Sequence, residues 1–178
     1  NQKEDKDIIL AALNQNAAVF RFVSDGFKKD KDAVLAAVKQ NGWIFEAVSE
    51  DFKKDKEVVL TAVSQKGLML QYASDELKSK KDVVIVAVRQ NGQSLEYASD
   101  NLKKDKDLVL AAVKQNGLSL QHASEELKND KEIALEALRQ NGFAFQKLSK
   151  ALKKDKDIIL AALNHKGQVL YYIVDDDE

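Results

Sequence analysis

Apolar and polar positions along this chain recur with a period of about 25 residues from one end to the other. Lys28, Lys53, Lys78, Lys103, Lys128 and Lys153 mark the beat, and the residues between them realign each time. One unit reads K-K-D-K-D-x-V-L-A-A-V-x-Q-N-G-x-x-L-x-Y-A-S-x-x-L. The copies span residues 3–27, 28–52, 53–77, 78–102, 103–127, 128–152 and 153–177, the first and last slightly degraded. Self-similarity at such a period marks architectures in which each unit hides its apolar face against its neighbours.

Within a unit, polar punctuation and apolar spacing predict the elements. In the second copy Asp30 precedes Lys31-Asp32 and suits an N-cap, where a side-chain oxygen accepts from an orphan backbone N–H. Asp32 then adds negative charge at the positive end of the helix dipole. Val34, Leu35, Ala37 and Val38 follow helical spacing and make a wide apolar face. Gly42, after Asn41, is expected in the left-handed conformation that closes many helices. Together these signals predict a helix A of about eleven residues. The cap aspartate recurs as Asp5, Asp55, Asp105, Asp130 and Asp155, with Lys80 as exception. The glycine recurs as Gly67, Gly92, Gly117, Gly142 and Gly167, with Ala17 in its place in the first copy.

After the glycine, Phe45, Val48 and Phe52 stand three and four apart, matched by Leu70, Ala73, Leu77 and by Leu95, Ala98, Leu102. That spacing predicts a shorter helix B. Ser49, Ser74, Ser99, Ser124 and Ser149 stand near its end, where a serine caps a tight turn and the chain is expected to resume as 3₁₀ helix. The expected fold is all-α: an α-solenoid of seven two-helix repeats forming a single helical-repeat domain over residues 1–178. One column is alanine in every copy: Ala12, Ala37, Ala62, Ala87, Ala112, Ala137 and Ala162. It lies two positions after Leu10, Leu35, Leu60, Ile85, Leu110, Leu135 and Leu160, and a small residue there lets helix axes approach while the leucine fills the space beside it.

Composition narrows the function classes. The chain of 178 residues holds no proline, so nothing in it forces a helix to break. With 28 basic and 29 acidic residues and a formal net charge of −1, it has no bulk attraction to nucleic acid or anionic lipid. Apolar runs such as Val83–Val88 are far too short for a membrane span. The absence of cysteine removes disulfides and thiol chemistry and favours an intracellular location, leaving the compartment otherwise open. The chain opens on Asn1 rather than Met, as a processed chain or a piece of a longer array would. Its last copy runs Val169-Leu170-Tyr171-Tyr172-Ile173-Val174 before the acidic Asp175–Glu178, an apolar run that fits either half of a helix B held by its inner neighbour with an acidic tail for solubility, or a place where a longer array, a partner or end-to-end self-association continues.

The phrases D-K-E-V-V-L-T-A-V-S-Q-K-G (Asp55–Gly67) and L-Q-Y-A-S-D-E-L-K (Leu70–Lys78) resemble the tandem repeat known as domain of unknown function 4116. The resemblance covers essentially the whole chain: cap, alanine column, Q-N-G and Y-A-S all match. It implies a helical-repeat fold and an interaction function, and it supplies no catalytic residues.

The candidate chemistry is sparse. Lys6, Lys31, Lys56, Lys81, Lys106, Lys131 and Lys156 form a column flanked by carboxylates, which reads as a solvated ladder of charge pairs between units. Helix N-termini attract phosphate, but the aspartate caps occupy those N–H groups and repel an anion. The Asp-Lys-Asp triplets lack the glycine and the bidentate glutamate of a calcium loop. His122 and His165 stand in different columns with no cysteine or paired carboxylate beside them, so no metal, cofactor or catalytic triad is expected. Catalysis needs unlike groups converging, whereas a repeat brings like groups into line, so the chain is expected not to be an enzyme. Gln15, Gln40, Gln65, Gln90, Gln115 and Gln140 form a further column, suited either to bond an adjacent unit's turn or to read a partner's backbone.

Recognition is expected where copies differ. The residue after the glycine is Trp43, Leu68, Gln93, Leu118, Phe143 and Gln168. Four positions later come Ala47, Tyr72, Tyr97, His122, Lys147 and Tyr172, with Phe22 in the first copy. In an α-helix these columns lie one turn apart on one side. Trp43, Tyr72, Tyr97, His122, Phe143 and Tyr172 are therefore the candidate partner-binding residues of a scaffold for a protein partner or larger complex, the other reading of these columns being that they pack between units. The alternative is a repeat-coded nucleic-acid binder, against which the near-zero charge weighs. The alanine column makes its own prediction. Ala87→Leu overpacks the stack and lowers stability by ~1–3 kcal/mol in a denaturation experiment.

Overall fold

The computed structural model describes residues 2–164. Gln168, His165, Gly167, Tyr172 and the run from Val169 lie outside the described residues. The fold is an all-α repeat solenoid, with no strand among the described residues. Among the described residues each of the first six copies comprises three helical pieces. In the second these are the ten-residue helix A, Lys31–Gln40, a 3₁₀ helix Gly42–Ala47 and a single α turn Glu50–Lys53. Helix A recurs at Lys56–Gln65, Lys81–Gln90, Lys106–Gln115, Lys131–Gln140 and Lys156–Leu163, and the 3₁₀ helix at Gly67–Tyr72, Gly92–Tyr97, Gly117–His122 and Gly142–Lys147.

The aspartates start helix A as their position predicts. Asp30 accepts from the Ala33 N–H at 3.0 Å, Asp105 from Leu108 at 2.9 Å and Asp130 from Ile133 at 3.1 Å. Lys80 has no acceptor in its side chain, and its own carbonyl takes the Val83 N–H at 3.1 Å instead. Asp5 is no cap: the first helix runs Gln2–Gln15 and encloses it.

The glycine does not act as expected. Helix A ends on the asparagine before it: Asn41 is extended (φ −145°, ψ 104°) and its N–H bonds the Ala37 carbonyl. Its side chain then accepts from the Trp43 N–H at 3.1 Å, starting the 3₁₀ helix. Asn91, Asn116 and Asn141 do the same. No positive φ occurs at Gly42, Gly92 or Gly117. What excludes a side chain is the neighbouring copy. A Cβ on Gly92 would stand 2.4 Å from the Ala112 carbonyl oxygen and 2.6 Å from Ser119 Oγ, and one on Gly117 2.4 Å from the Ala137 carbonyl oxygen. At Gly42 the nearest atom is the flexible Lys66 Cγ at 3.1 Å.

Helix B also differs from expectation. The 3₁₀ segment precedes the serine, with i→i+3 bonds such as Ile44 N–H to Asn41 at 3.1 Å and Met69 N–H to Lys66 at 2.8 Å. The asparagine cap reinforces it but is not required, since Lys66 makes no side-chain cap bond and the segment Gly67–Tyr72 is still 3₁₀. After the serine an α turn follows, with hydroxyl caps from Ser74 to the Leu77 N–H at 3.4 Å and from Ser149 to Leu152 at 3.2 Å. Only the fourth copy resumes as 3₁₀, at Leu102–Lys104, among the described residues.

Two compact units divide the chain, Asn1–Gln90 and Asn91–Glu178. Within each, helices A of successive copies pack side by side in one layer and the 3₁₀ helices line up in a second. The core lies between the layers: Val58, Val59, Ala62 and Val63 from helix A meet Met69 and Leu70 from the 3₁₀ helix, all fully buried. The alanine column is fully buried from Ala37 to Ala162. The leucine column is not core: Leu35, Leu60, Ile85, Leu110 and Leu135 are half-buried. The buried face is centred on the residues one and two before it and the two and three after it, which leaves leucine on the flank.

Polar ladders tie copy to copy inside each unit. Lys31 reaches Asp55 at 2.8 Å and Glu57 at 3.0 Å, and Lys56 reaches Asp82. Lys106 reaches Asp130 at 2.9 Å and Glu132 at 2.7 Å, and Lys131 reaches Asp155 at 3.0 Å and Asp157 at 2.7 Å. Partial burial pushes the Asp55 carboxyl up, but Lys31 and the Val58 and Glu57 N–H groups outweigh it and hold Asp55 below its ordinary range. Such exposed pairs are individually weak and screened by salt. Two glutamines bond the preceding copy's turn, Gln90 Oε1 accepting from the Gly67 N–H at 2.6 Å and Gln115 Oε1 from the Gly92 N–H at 2.5 Å, while Gln140 Nε2 donates to Glu136 of its own helix at 3.1 Å. Gln65 Nε2 donates to the Lys39 carbonyl.

The glycine geometry sets a graded outcome. Gly92→Ala and Gly117→Ala force backbone apart and cost ~1–3 kcal/mol, whereas Gly42→Ala, which meets no backbone atom and whose nearest neighbours are Lys66 Cγ at 3.1 Å and Gln65 Cβ at 3.2 Å, costs less. Urea denaturation of the three variants checks the order.

Candidate functional site

The 3₁₀ helices present a face that packing does not consume. With about three residues per turn, the second copy buries Gly42, Ile44 and Phe45 and leaves Trp43, Glu46 and Ala47 exposed. In this tighter helix the residue beneath Trp43 is Glu46, three positions on, not Ala47. The two variable columns meet differently from the expected one-turn stacking. The last position of one 3₁₀ helix faces the first variable position of the preceding copy: His122 Nε2 lies 2.8 Å from Gln93 Oε1.

The candidates are not equivalent. Trp43 is 49% exposed and Phe143 40%. Tyr72, Tyr97 and His122 are half-buried, as are Leu68, Gln93 and Leu118 beside them. Tyr172 falls outside the described residues. In the first unit Ala17, Ala18 and Ala47 floor a groove of about 470 Å³ that Trp43, Arg21 and Glu46 border. Small floor, large aromatic and one charge of each sign make it a place for an apolar side chain flanked by polar backbone.

In the second unit the same face is polar where Gln93 meets the following copy. Gln93 Oε1 takes the His122 contact and accepts from Gln121 Nε2 at 3.2 Å, while Gln93 Nε2 lies 3.5 Å from Ser119 Oγ. His122 Nε2 stands between the Gln93 amide oxygen, which accepts, and the Gln121 Nε2 amide at 3.2 Å, which donates. Burial pushes the His122 pKa down; Glu96 acts in the opposite sense, and Lys103, Lys128 and Lys147 reinforce the fall.

Helix A carries a second surface that sequence reasoning assigned to the core. Leu35 and Ala36 line a groove of about 480 Å³ with Lys39, Glu57, Thr61, Ser64 and Gln65. The available signal was the pair of core residues before each leucine, which places it off the centre of the apolar face. Among the described residues no group of three or more His, Asp or Glu side chains is placed to hold a metal ion, and no helix is long and apolar enough to cross a membrane.

The histidine sets a pH dependence. Its folded pKa lies below the ordinary 6.5, so between the two values the unfolded chain binds more protons. The neutral imidazole's contribution is complete above 6.5 and is lost as pH falls through the folded value. His122→Tyr, which installs the residue found at Tyr97, removes that loss. Urea midpoints measured on both proteins from neutral pH down to the onset of carboxylate titration test it.

The family model described as domain of unknown function (DUF4116) matches residues 5–53, 55–103, 105–153 and 130–176. Each of the first three matches covers about two copies, and the last two overlap over roughly one copy, so there the pair fits in either register. No curated protein and no solved structure matches the chain. With helix caps, alanine column and paired copies all in place, the chain belongs to the family known as domain of unknown function (DUF4116).

Proposed function

We propose that the chain is a non-catalytic scaffold that binds a protein segment along the exposed face of its 3₁₀ helices. One observation carries this reading. The lysine, aspartate, asparagine, glutamine, glycine and alanine columns hold adjacent copies together or close the helices, whereas among the described residues the position after the glycine varies between copies, exposed at Trp43 and Phe143 and half-buried at Leu68, Gln93 and Leu118. Trp43 and Phe143, the most exposed members, are the anchors, since large aromatic side chains dominate binding energy at protein interfaces. Tyr72, Tyr97 and His122 flank them at half burial, pre-ordered so that little side-chain freedom is lost on binding. A rigid row of unlike side chains on a like backbone selects a partner by side-chain pattern, and no bond need be made or broken.

The test is a photo-crosslinker at Trp43 or Phe143 in cells to identify the bound protein, followed by affinity measurement. A Trp43→Ser/Phe143→Ser variant is expected to lose at least about tenfold in affinity with its circular dichroism unchanged. Leu35→Ser, on the helix A surface, is the control and leaves affinity as it was. Equal affinity of the double variant and the native chain removes this reading.

A further inference from the structure

The groove beside Trp43 exists because of two small side chains. Ala18 and Ala47 hold the repeat positions that Gln93 and His122 hold in the second unit. There the two long side chains meet at 2.8 Å and Gln121 bonds Gln93 as well, so the junction between copies is bridged. In the first unit the alanines are too short to meet, and a groove of about 470 Å³ lies between the 3₁₀ helices Ala17–Phe22 and Gly42–Ala47, with Trp43 as its large apolar wall. The charges at this junction are also its own. Arg21 and Glu46 hold the same position in successive 3₁₀ helices, where Gln71, Glu96, Gln121 and Gln146 stand in later copies. Both are exposed and both border the groove. Among the described residues neither forms an ion pair, with the other or with a third group, although Lys31 and Asp55 on adjacent copies do pair.

We propose that this groove takes a large apolar side chain of an extended protein segment, with an acidic residue of that segment on Arg21 and a basic one on Glu46. The inference rests on the scaffold reading and names the partner's chemistry at one place along the same row. An alanine floor gives depth without a polar side chain to desolvate, and the indole of Trp43 adds apolar contact to the side chain that enters. The two border charges complement the segment in sign. The Arg21 guanidinium presents paired donors to a carboxylate, and the Glu46 carboxylate accepts from a lysine or arginine. Because Arg21 and Glu46 belong to different copies, the segment runs along the stack rather than along one helix. Packed helices stand about 8–10 Å apart, which an extended chain covers in about three residues. The apolar residue therefore lies between two opposite charges that are close in the partner's sequence. A segment with charges of one sign only places a like charge against Arg21 or Glu46.

A displayed library of random peptides, selected on the native chain and counter-selected on Trp43→Ser, supplies the probe. Recovered peptides are expected to carry a large apolar residue between one acidic and one basic residue, and fluorescence anisotropy measures binding of the synthetic consensus peptide. Arg21→Glu lowers its affinity at least about tenfold. A peptide whose acidic residue is replaced by lysine binds that variant as the consensus binds the native chain. Ala18→Gln/Ala47→His writes the second unit's pair into the first and fills the groove with Trp43 in place. It lowers affinity by a similar factor, with circular dichroism unchanged. Trp43-dependent peptides without the paired charges overturn the inference and leave the scaffold reading in place. So does a consensus peptide that binds Arg21→Glu or Ala18→Gln/Ala47→His as tightly as the native chain. A library that yields no Trp43-dependent peptide also overturns it, and the crosslinked partner of the native chain then decides the scaffold reading by itself.

Discussion

The structure depends on how closely one copy's turn approaches the next copy's helix A. At Gly92 and Gly117 the approach leaves no room for a methyl group, because a backbone carbonyl of the following helix stands where the Cβ would be. The contact is locked from the other side by glutamine: Gln115 reaches back from that helix and accepts the Gly92 N–H. Glycine therefore serves the fold by what it lacks, and glutamine by its reach. The pair sets the distance between neighbours, and a fixed distance is what makes the same lysine-to-aspartate step recur within each unit. The alanine column follows from the same constraint, since Ala112 and Ala137 supply both a small side chain to the packed face and the carbonyl that the glycine meets.

Several polar side chains act at two levels at once. Asp55 caps its own helix through the Val58 N–H and accepts Lys31 from the preceding copy. Asn41 ends one helix with its backbone and begins the next with its amide oxygen. Local structure and neighbour contact are thus written in the same residues. A substitution at these positions weakens a helix end and a junction together, in keeping with an array whose stability is the sum of repeat and nearest-neighbour contributions. The columns that vary are those that no such double role constrains. In the second unit Ser94 and Ser119 are buried where Ile44 and Met69 stand in the first, so even a core column changes size and polarity between units.

What could be read from sequence was whatever depends on local spacing. Helix A, its aspartate caps and the buried alanine are short-range patterns, and they appear where the spacing places them. The role of the glycine was not legible, because a left-handed helix end and a close backbone approach both exclude a side chain and leave the same letter in the sequence. The 3₁₀ helix was not legible either. Over six residues, apolar positions three and four apart fit three residues per turn as well as 3.6, and the segment is 3₁₀ whether asparagine or Lys66 stands before the glycine. That difference propagated into the candidate site. With three residues per turn, Trp43 lies over Glu46 rather than Ala47, so the two variable columns join across copies instead of along one helix. The aromatic candidates were visible as residues; their grouping was not.

The two layers divide the work because their backbones differ. Helix A, capped at its start and clamped by its neighbours, buries four residues of every ten in the copies from Lys31 to Gln140, including the alanine on which the approach depends. The 3₁₀ helix contributes two core side chains and the glycine, then turns its remaining three positions outward. A side chain changed on that outer row alters no capping bond and no interhelix spacing, so the row is free to diversify while the stack stays regular. His122 marks where this freedom ends. By bonding Gln93 of the preceding copy it joins the outward row to the junction beneath, and a change of its charge reaches both. A row of side chains on an invariant spacing is therefore adjustable position by position only where, as at Trp43 and Phe143, the side chain stands clear of its neighbours.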